Sequence, residues 1–187
     1  VFLQPSAVLC DTDTLRTLLP HVFADGAAEA IKTGVLSDES LFSLFDTDDL
    51  QADIGEVAAR CIAFKGSVVE QDEKDNGVRR TLNLGHTAGH AIEKCAGFTI
   101  THGHAVAIGM VLIARAAEKL GWCKEPCAER IAAVLRRNHL PTSTEYTAKE
   151  LAEAALSDKK RRGGTISLVI PRRIGDCYMK TIPVTEL

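Results

Sequence analysis

Apolar residues recur at helical spacing along most of this chain, and short polar clusters separate the runs. After Pro5 comes a brief apolar stretch, SAVLC, which reads as a short strand already under way. Asp11 or Thr12 can cap a helix running to Leu19, where Pro20 interrupts it. Residues 21–35 predict a second helix rich in alanine, isoleucine and valine. Asp38 is placed to cap a short helix carrying Leu41, Leu44 and Phe45. A long helix is predicted over 52–70, with Ile54, Val57, Ala58, Cys61, Ile62, Val68 and Val69 on its apolar face. Asn76-Gly77 centres a polar turn. From His102 to Leu120 the chain is apolar nearly all round before Arg115, which predicts a helix buried at the domain centre, with Val106, Met110, Ile113 and Ala117 as one seam. A further helix follows Pro126 and ends at Pro141, and a shorter one covers 147–157. TISLVI and YMKTI then read as two strands paired through a PRRIGD turn. The fold class is mainly α, with a small β-hairpin near the C-terminus.

Composition narrows this picture. The 187 residues suit one domain with a real core. Aromatics are 5%, which favours close packing of small-residue helices over a sandwich. A net charge of -3 argues against a nucleic-acid-binding module. No apolar run has the length of a membrane span, so neither nucleic acid nor membrane is expected as a partner. Cys10, Cys61, Cys95, Cys123, Cys127 and Cys177 form no C-x-x-C pair and are read as reduced thiols in a cytoplasmic protein.

The candidate chemistry lies in residues 79–104, which hold four of the six histidines. Arg79, Asn83, His86 and His90 recur at spacings of four, three and four, so one continuous helix would place them on one stripe, continued by Glu93. Gly85 and Gly89 flank the stripe and suggest close approach by another backbone or a ligand. His102, on the first turn of the apolar helix, can reach back to His86. Imidazole binds zinc and moves protons near neutral pH, so this reads as a metal site handling an anion. The competing view is one buried histidine, one helix cap and two surface residues. Glu29 and Lys32 share a helical face, either as an exposed ion pair or as a buried glutamate needing a partner. Lys65 either snorkels to solvent or joins the site. The basic run from Lys159 to Arg162 is either solvated or closes over an anion.

NLGHTAGHAIE followed by THGHAVAIGM closely resembles the 3-dehydroquinate synthase family. DGAAEAIKTGVLSD, QDEKDNGVRRTLN and DKKRRGG resemble other blocks of that family in the same order, and QPSAVLCD resembles the junction after its nucleotide-binding half. The resemblance implies that residues 1–187 are a single helical metal- and substrate-binding domain, and that an N-terminal Rossmann-like domain, absent from this chain, holds most of the NAD site. It assigns Glu29, His86 and His102 as ligands to Zn2+ or Co2+. It makes His90, Lys32, Lys65, Arg79, Asn83, Lys159 and Lys160 substrate-binding or proton-handling residues. The implied activity is that of a carbon-oxygen lyase of the shikimate pathway, which leads to aromatic amino acids. It converts the anionic seven-carbon sugar 3-deoxy-D-arabino-heptulosonate 7-phosphate to 3-dehydroquinate and phosphate. The steps are transient oxidation by NAD, phosphate elimination, reduction and aldol closure. A homodimer is the family expectation, and the isolated fragment is expected to lack turnover. One position departs: the family usually has HGEAV where this chain has His104 in place of the acid. Two residues past His102 in a helix, His104 should point away from the metal. Alternatives are another sugar-phosphate cyclase, a metal-dependent polyol dehydrogenase and a noncatalytic helical interaction domain. The cations at 32, 65 and 79 disfavour the polyol reading.

Overall fold

The computed structural model describes residues 6–47, 50–74, 77–156 and 164–186. Seven α-helices and one hairpin make up the main elements among them: α1 Pro20–Ser37, α2 Glu39–Ser43, α3 Leu50–Gln71, α4 His86–Cys95, α5 His102–Lys119, α6 Ala128–Arg137, α7 Ala148–Leu156, β1 Thr165–Arg173 and β2 Asp176–Pro183. Three short 3-10 turns cover Thr12–Thr17, Val78–Asn83 and Val184–Glu186. The mainly helical class with a C-terminal hairpin is therefore as the sequence reads.

Helix α5 is the centre. Ala105, Val106, Ala107, Met110, Val111, Ala114 and Ala117 are wholly buried, covering most of the helix circumference. Helices α4, α1 and α6 and strand β1 all pack on it. Ile113, predicted in the buried seam, is only partly covered. Helix α1 begins at Pro20, which occupies its first turn. A proline there starts a helix because the first N–H groups have no intrahelical acceptor. The predicted helix through Leu19 is thus a short 3-10 turn capped by Asp11, and Pro20 opens the next element. The expected strand at SAVLC is absent from its described residues, 6–10, which carry no regular structure.

Helix α1 presents Ala24, Ala27, Ala28, Ile31 and Val35 to the core. Asp38 ends α1 and caps α2, its Oδ1 accepting from the N–H groups of Ser40 and Leu41 at 2.9 and 3.2 Å. Helix α3 buries Val57 and Val68 and packs Cys61 and Phe64 partly against the core. Ile62, placed on that face from sequence, is 55% exposed. One residue turns a helix by about 100°, so a face running through Val57, Cys61, Phe64 and Val68 carries Ile62 outward. The strands pair antiparallel with Ile170 opposite Tyr178, and Ile166, Leu168 and Ile170 are buried. Gly175, at φ +83°, makes the turn and donates its N–H to the carbonyl of Val35.

The continuous helical stripe expected from Arg79 to Glu93 is broken. Arg79 and Asn83 lie on the 3-10 turn, and Gly85, at φ +77°, redirects the chain before α4 starts at His86. The reason lies in the packing of α4 on α5. A Cβ on Gly85 would stand 2.8 Å from the Met110 nitrogen, one on Gly89 3.2 Å from the Val106 nitrogen, and one on Gly109 2.1 Å from the Gly85 carbonyl oxygen. The backbones touch, so only glycine fits on both sides. No described helix is long and apolar enough to cross a membrane.

Candidate metal and anion site

Three elements meet at the site. Helix α1 brings Glu29, α4 brings His86 and α5 brings His102 from its first turn. The His86 and His102 rings lie 5.1 Å apart between centroids. Nε2 of His86 is 3.8 Å and Nε2 of His102 is 3.7 Å from the same atom, Glu29 Oε1.

Neighbouring acceptors fix the tautomer of each ring. Nδ1 of His86 lies 3.1 Å from the Leu84 carbonyl, and Nδ1 of His102 lies 3.0 Å from Glu93 Oε1. Both acceptors take a proton, so both Nδ1 atoms carry one, and in the neutral ring each Nε2 keeps a lone pair. Those lone pairs face a carboxylate oxygen that is itself buried and accepts no hydrogen bond. Three electron-rich atoms converging without a donor repel one another unless a cation lies between them. Partners on the far side of each ring are the usual arrangement for metal-binding histidine.

The charges agree with this. Burial favours the neutral form of Glu29, but the charge and hydrogen bond of Lys32, then His86 and His102, outweigh it and lower the carboxyl below its ordinary value. Burial, then the Lys32 charge, pushes His86 down to about 4, against the opposing pull of the Leu84 carbonyl and Glu29. His86 is therefore neutral at physiological pH, the form that ligates a metal. The Glu29–Lys32 pair is half-buried: Lys32 Nζ donates to Glu29 Oε2 at 2.6 Å, with the lysine side chain 7% and the glutamate side chain 40% exposed.

A second triad, His90, Glu93 and His102, also brings its ligand atoms within reach of one ion. Its carboxylate is already engaged by His102 Nδ1, whereas Glu29 Oε1 has no donor. The first triad is the better cradle. His90 is exposed at its edge, 5.5 Å from the His86 ring and 5.8 Å from that of His102.

Beside the triad opens a cavity of about 480 Å³, lined by Glu29, Lys32, Lys65, Arg79, Asn83 and His86 among others. Sequence reading named all six, and the structure brings them to one hollow from α1, α3, the Val78–Asn83 turn and α4. Arg79 is steadied by its N–H to Asp72 Oδ2 at 3.0 Å and by Nη1 to the Glu73 carbonyl at 2.8 Å. Three cations and an amide suit a polyanionic ligand. Lys159 and Lys160 lie outside the described residues.

His104 points away from the triad, as its helical position predicts, and pairs with Asp25 through Nδ1 to Oδ1 at 2.7 Å. Burial opposes ionisation of Asp25, but bonds from His104 and Thr101 outweigh it and lower that carboxyl. Sequence reading missed Asp25 and saw Glu93 only as the end of a stripe. Each meets its partner across a gap between elements, which no local spacing reveals. All six cysteines are free, in keeping with their reading as thiols.

Comparison with known proteins identifies the family and the fold. The family described as 3-dehydroquinate synthase C-terminal matches residues 26–161. The 3-dehydroquinate synthase of Pelobacter propionicus is 45% identical over 194 residues, covering 100% of this chain and 54% of that protein. That of Enterococcus faecalis is 38% identical over 192 residues, with the same coverage. The chain thus spans about half the length of these relatives. Among solved structures, a 2-epi-5-epi-valiolone synthase from Streptomyces hygroscopicus subsp. jinggangensis, with NAD+ and Zn2+ bound, superposes with a TM-score of 0.80 at 25% identity, over 94% of this chain and 52% of that one. A 2-deoxy-scyllo-inosose synthase complexed with carbaglucose-6-phosphate, NAD+ and Co2+ shares the fold, with a TM-score of 0.76 at 21% identity over the same shares. With its family-model match over residues 26–161 and a candidate metal triad beside a cationic hollow on the matching helical scaffold, this chain belongs to the 3-dehydroquinate synthase C-terminal family.

Proposed function

We propose that the full-length protein is a 3-dehydroquinate synthase, in which these residues form the metal- and substrate-binding domain and a further domain holds most of the NAD site. The observation that carries the reading is the convergence of two imidazole lone pairs on the donor-free Glu29 Oε1. Glu29, His86 and His102 would hold Zn2+ or Co2+. One carboxylate and two imidazoles leave coordination positions open, as a catalytic rather than structural ion requires. When bound, the ion acts as a Lewis acid toward a substrate oxygen.

The chain's own residues do the rest. Lys32 holds Glu29 in its ionised form, and Glu93 holds His102 in its ligating tautomer. Lys65, Arg79 and Asn83 line the space where the carboxylate and phosphate of 3-deoxy-D-arabino-heptulosonate 7-phosphate would be neutralised. His90, at the rim, accepts or returns a proton, and Lys159 and Lys160 add positive charge. The hydride chemistry belongs to NAD.

The test is a coupled assay of the full-length protein for 3-dehydroquinate and phosphate from the heptulosonate phosphate. Formation of both, lost in Glu29→Gln and His86→Ala, supports the reading; no carbocyclic product with zinc and NAD present refutes it. The 187-residue chain alone should bind zinc weakly or incompletely and show no full turnover. A second reading, another sugar-phosphate cyclase, draws on the superposed valiolone synthase and on His104. Turnover of a different sugar phosphate in preference to the heptulosonate would favour it.

A further inference from the structure

Two ligands of the proposed centre sit at helix positions whose relation is set by a contact behind them. Asp25 precedes Glu29 by one turn of α1, and Thr101 immediately precedes His102 at the start of α5. Thr101 is the cap residue of α5, yet its own side chain does not cap the helix. Asp25 Oδ1 takes over: it accepts the backbone N–H of His104 at 2.9 Å, the Thr101 hydroxyl at 2.7 Å and His104 Nδ1–H at 2.7 Å. The backbones are in contact at this point, since a Cβ on Gly103 would lie 2.4 Å from Asp25 Cα.

We infer that Asp25 is a positioning residue of the metal centre, clamping the first turn of α5 to α1 and so fixing the separation of Glu29 and His102. The inference rests on the metal-binding reading above. Asp25 belongs neither to the triad nor to the lining of the hollow; it acts through the backbone that carries His102. A cap supplied by the helix that bears one ligand, to the helix that bears another, couples the two more tightly than a cap from α5 itself. His104 is absorbed into the clamp: with its proton on Nδ1 it donates to Asp25, where an acid at position 104 would present a second carboxylate.

The experiment uses full-length protein, chelator-competition titration with Zn2+ alone, the visible spectrum of the Co2+ form, and urea unfolding of each variant. Asp25→Ala is expected to weaken zinc binding about 10-fold or more and to change the Co2+ spectrum. Asp25→Asn, which keeps an acceptor oxygen, should restore affinity to within about threefold. Thr101→Val should weaken binding by about threefold, through loss of one bond of the clamp. A folded Asp25→Ala protein with wild-type affinity and spectrum would overturn the inference, even if its unfolding midpoint fell. Should Asp25→Ala not fold, wild-type zinc affinity and spectrum in Thr101→Val would overturn it. Equal zinc affinity in wild type and Glu29→Gln would instead remove the metal centre itself, and this role with it.

Discussion

Glu93 shows how much of the candidate metal triad is set by a group outside it. Its carboxylate accepts from His102 Nδ1 at 3.0 Å and so decides which ring nitrogen faces Glu29. Replacing it by glutamine, which has a donor as well as an acceptor, should weaken zinc binding by about 10- to 100-fold while leaving the fold intact; chelator titration beside circular dichroism checks both. Asp38 illustrates a different use of a carboxylate. Burial opposes its ionisation, but bonds from Arg60, Ser40 and the Leu41 N–H outweigh it and take the carboxyl from 3.8 to about 2. A folded value below the unfolded one means the group stabilises the fold above about pH 4, and that this contribution is lost as pH falls through about 2. The unfolding midpoint should therefore drop between pH 4 and 2, and less steeply in Asp38→Asn. Side chains like these were only half visible in the sequence. Asp38 announced itself as a local cap, whereas the partner of Glu93 lies nine residues away across a turn.

At the scale of elements, the glycines between α4 and α5 explain both what the sequence shows and what it hides. Gly85 and Gly89 beside the histidines signalled a close approach, and the approach is there. The same spacing suggested one helix from Arg79 onward, because three- and four-residue steps look alike whether or not a left-handed residue interrupts them. Gly85 interrupts them, sending Arg79 and Asn83 to the cavity wall and His86 to the first turn of α4. Gly109, opposite, has no open space: an added methyl meets the Gly85 carbonyl oxygen at 2.1 Å. Gly109→Ala should cost about 1–3 kcal/mol of stability by overpacking, read from denaturant unfolding, and should reduce zinc affinity with it. Helix α3 was read correctly as an element, and its outward-facing Ile62 was not, since seven apolar residues over four turns fit more than one face.

For the whole molecule, the buried α5 organises a scaffold on which α1, α3, α4 and the Val78–Asn83 turn each contribute to the hollow and α5 itself brings His102, so the site exists only in the assembled fold. The helical class, the hairpin and the triad were legible because they rest on periodicity and on residue blocks that travel together in one family. The clamp at Asp25 and the buried state of Lys32 were not, since both depend on which faces of distant helices meet. The cations of the hollow should act on substrate capture. In full-length protein, Lys65→Ala should raise KM for the proposed sugar-phosphate substrate by about 10-fold, with a weaker dependence of KM on salt, as initial rates across ionic strength would show. The backbone contact between α4 and α5 has a mechanical consequence as well. With main chains touching at Gly85, Gly89 and Gly109, the elements that carry His86 and His102 have no slack between them, so the two rings are mounted on one stiff bracket.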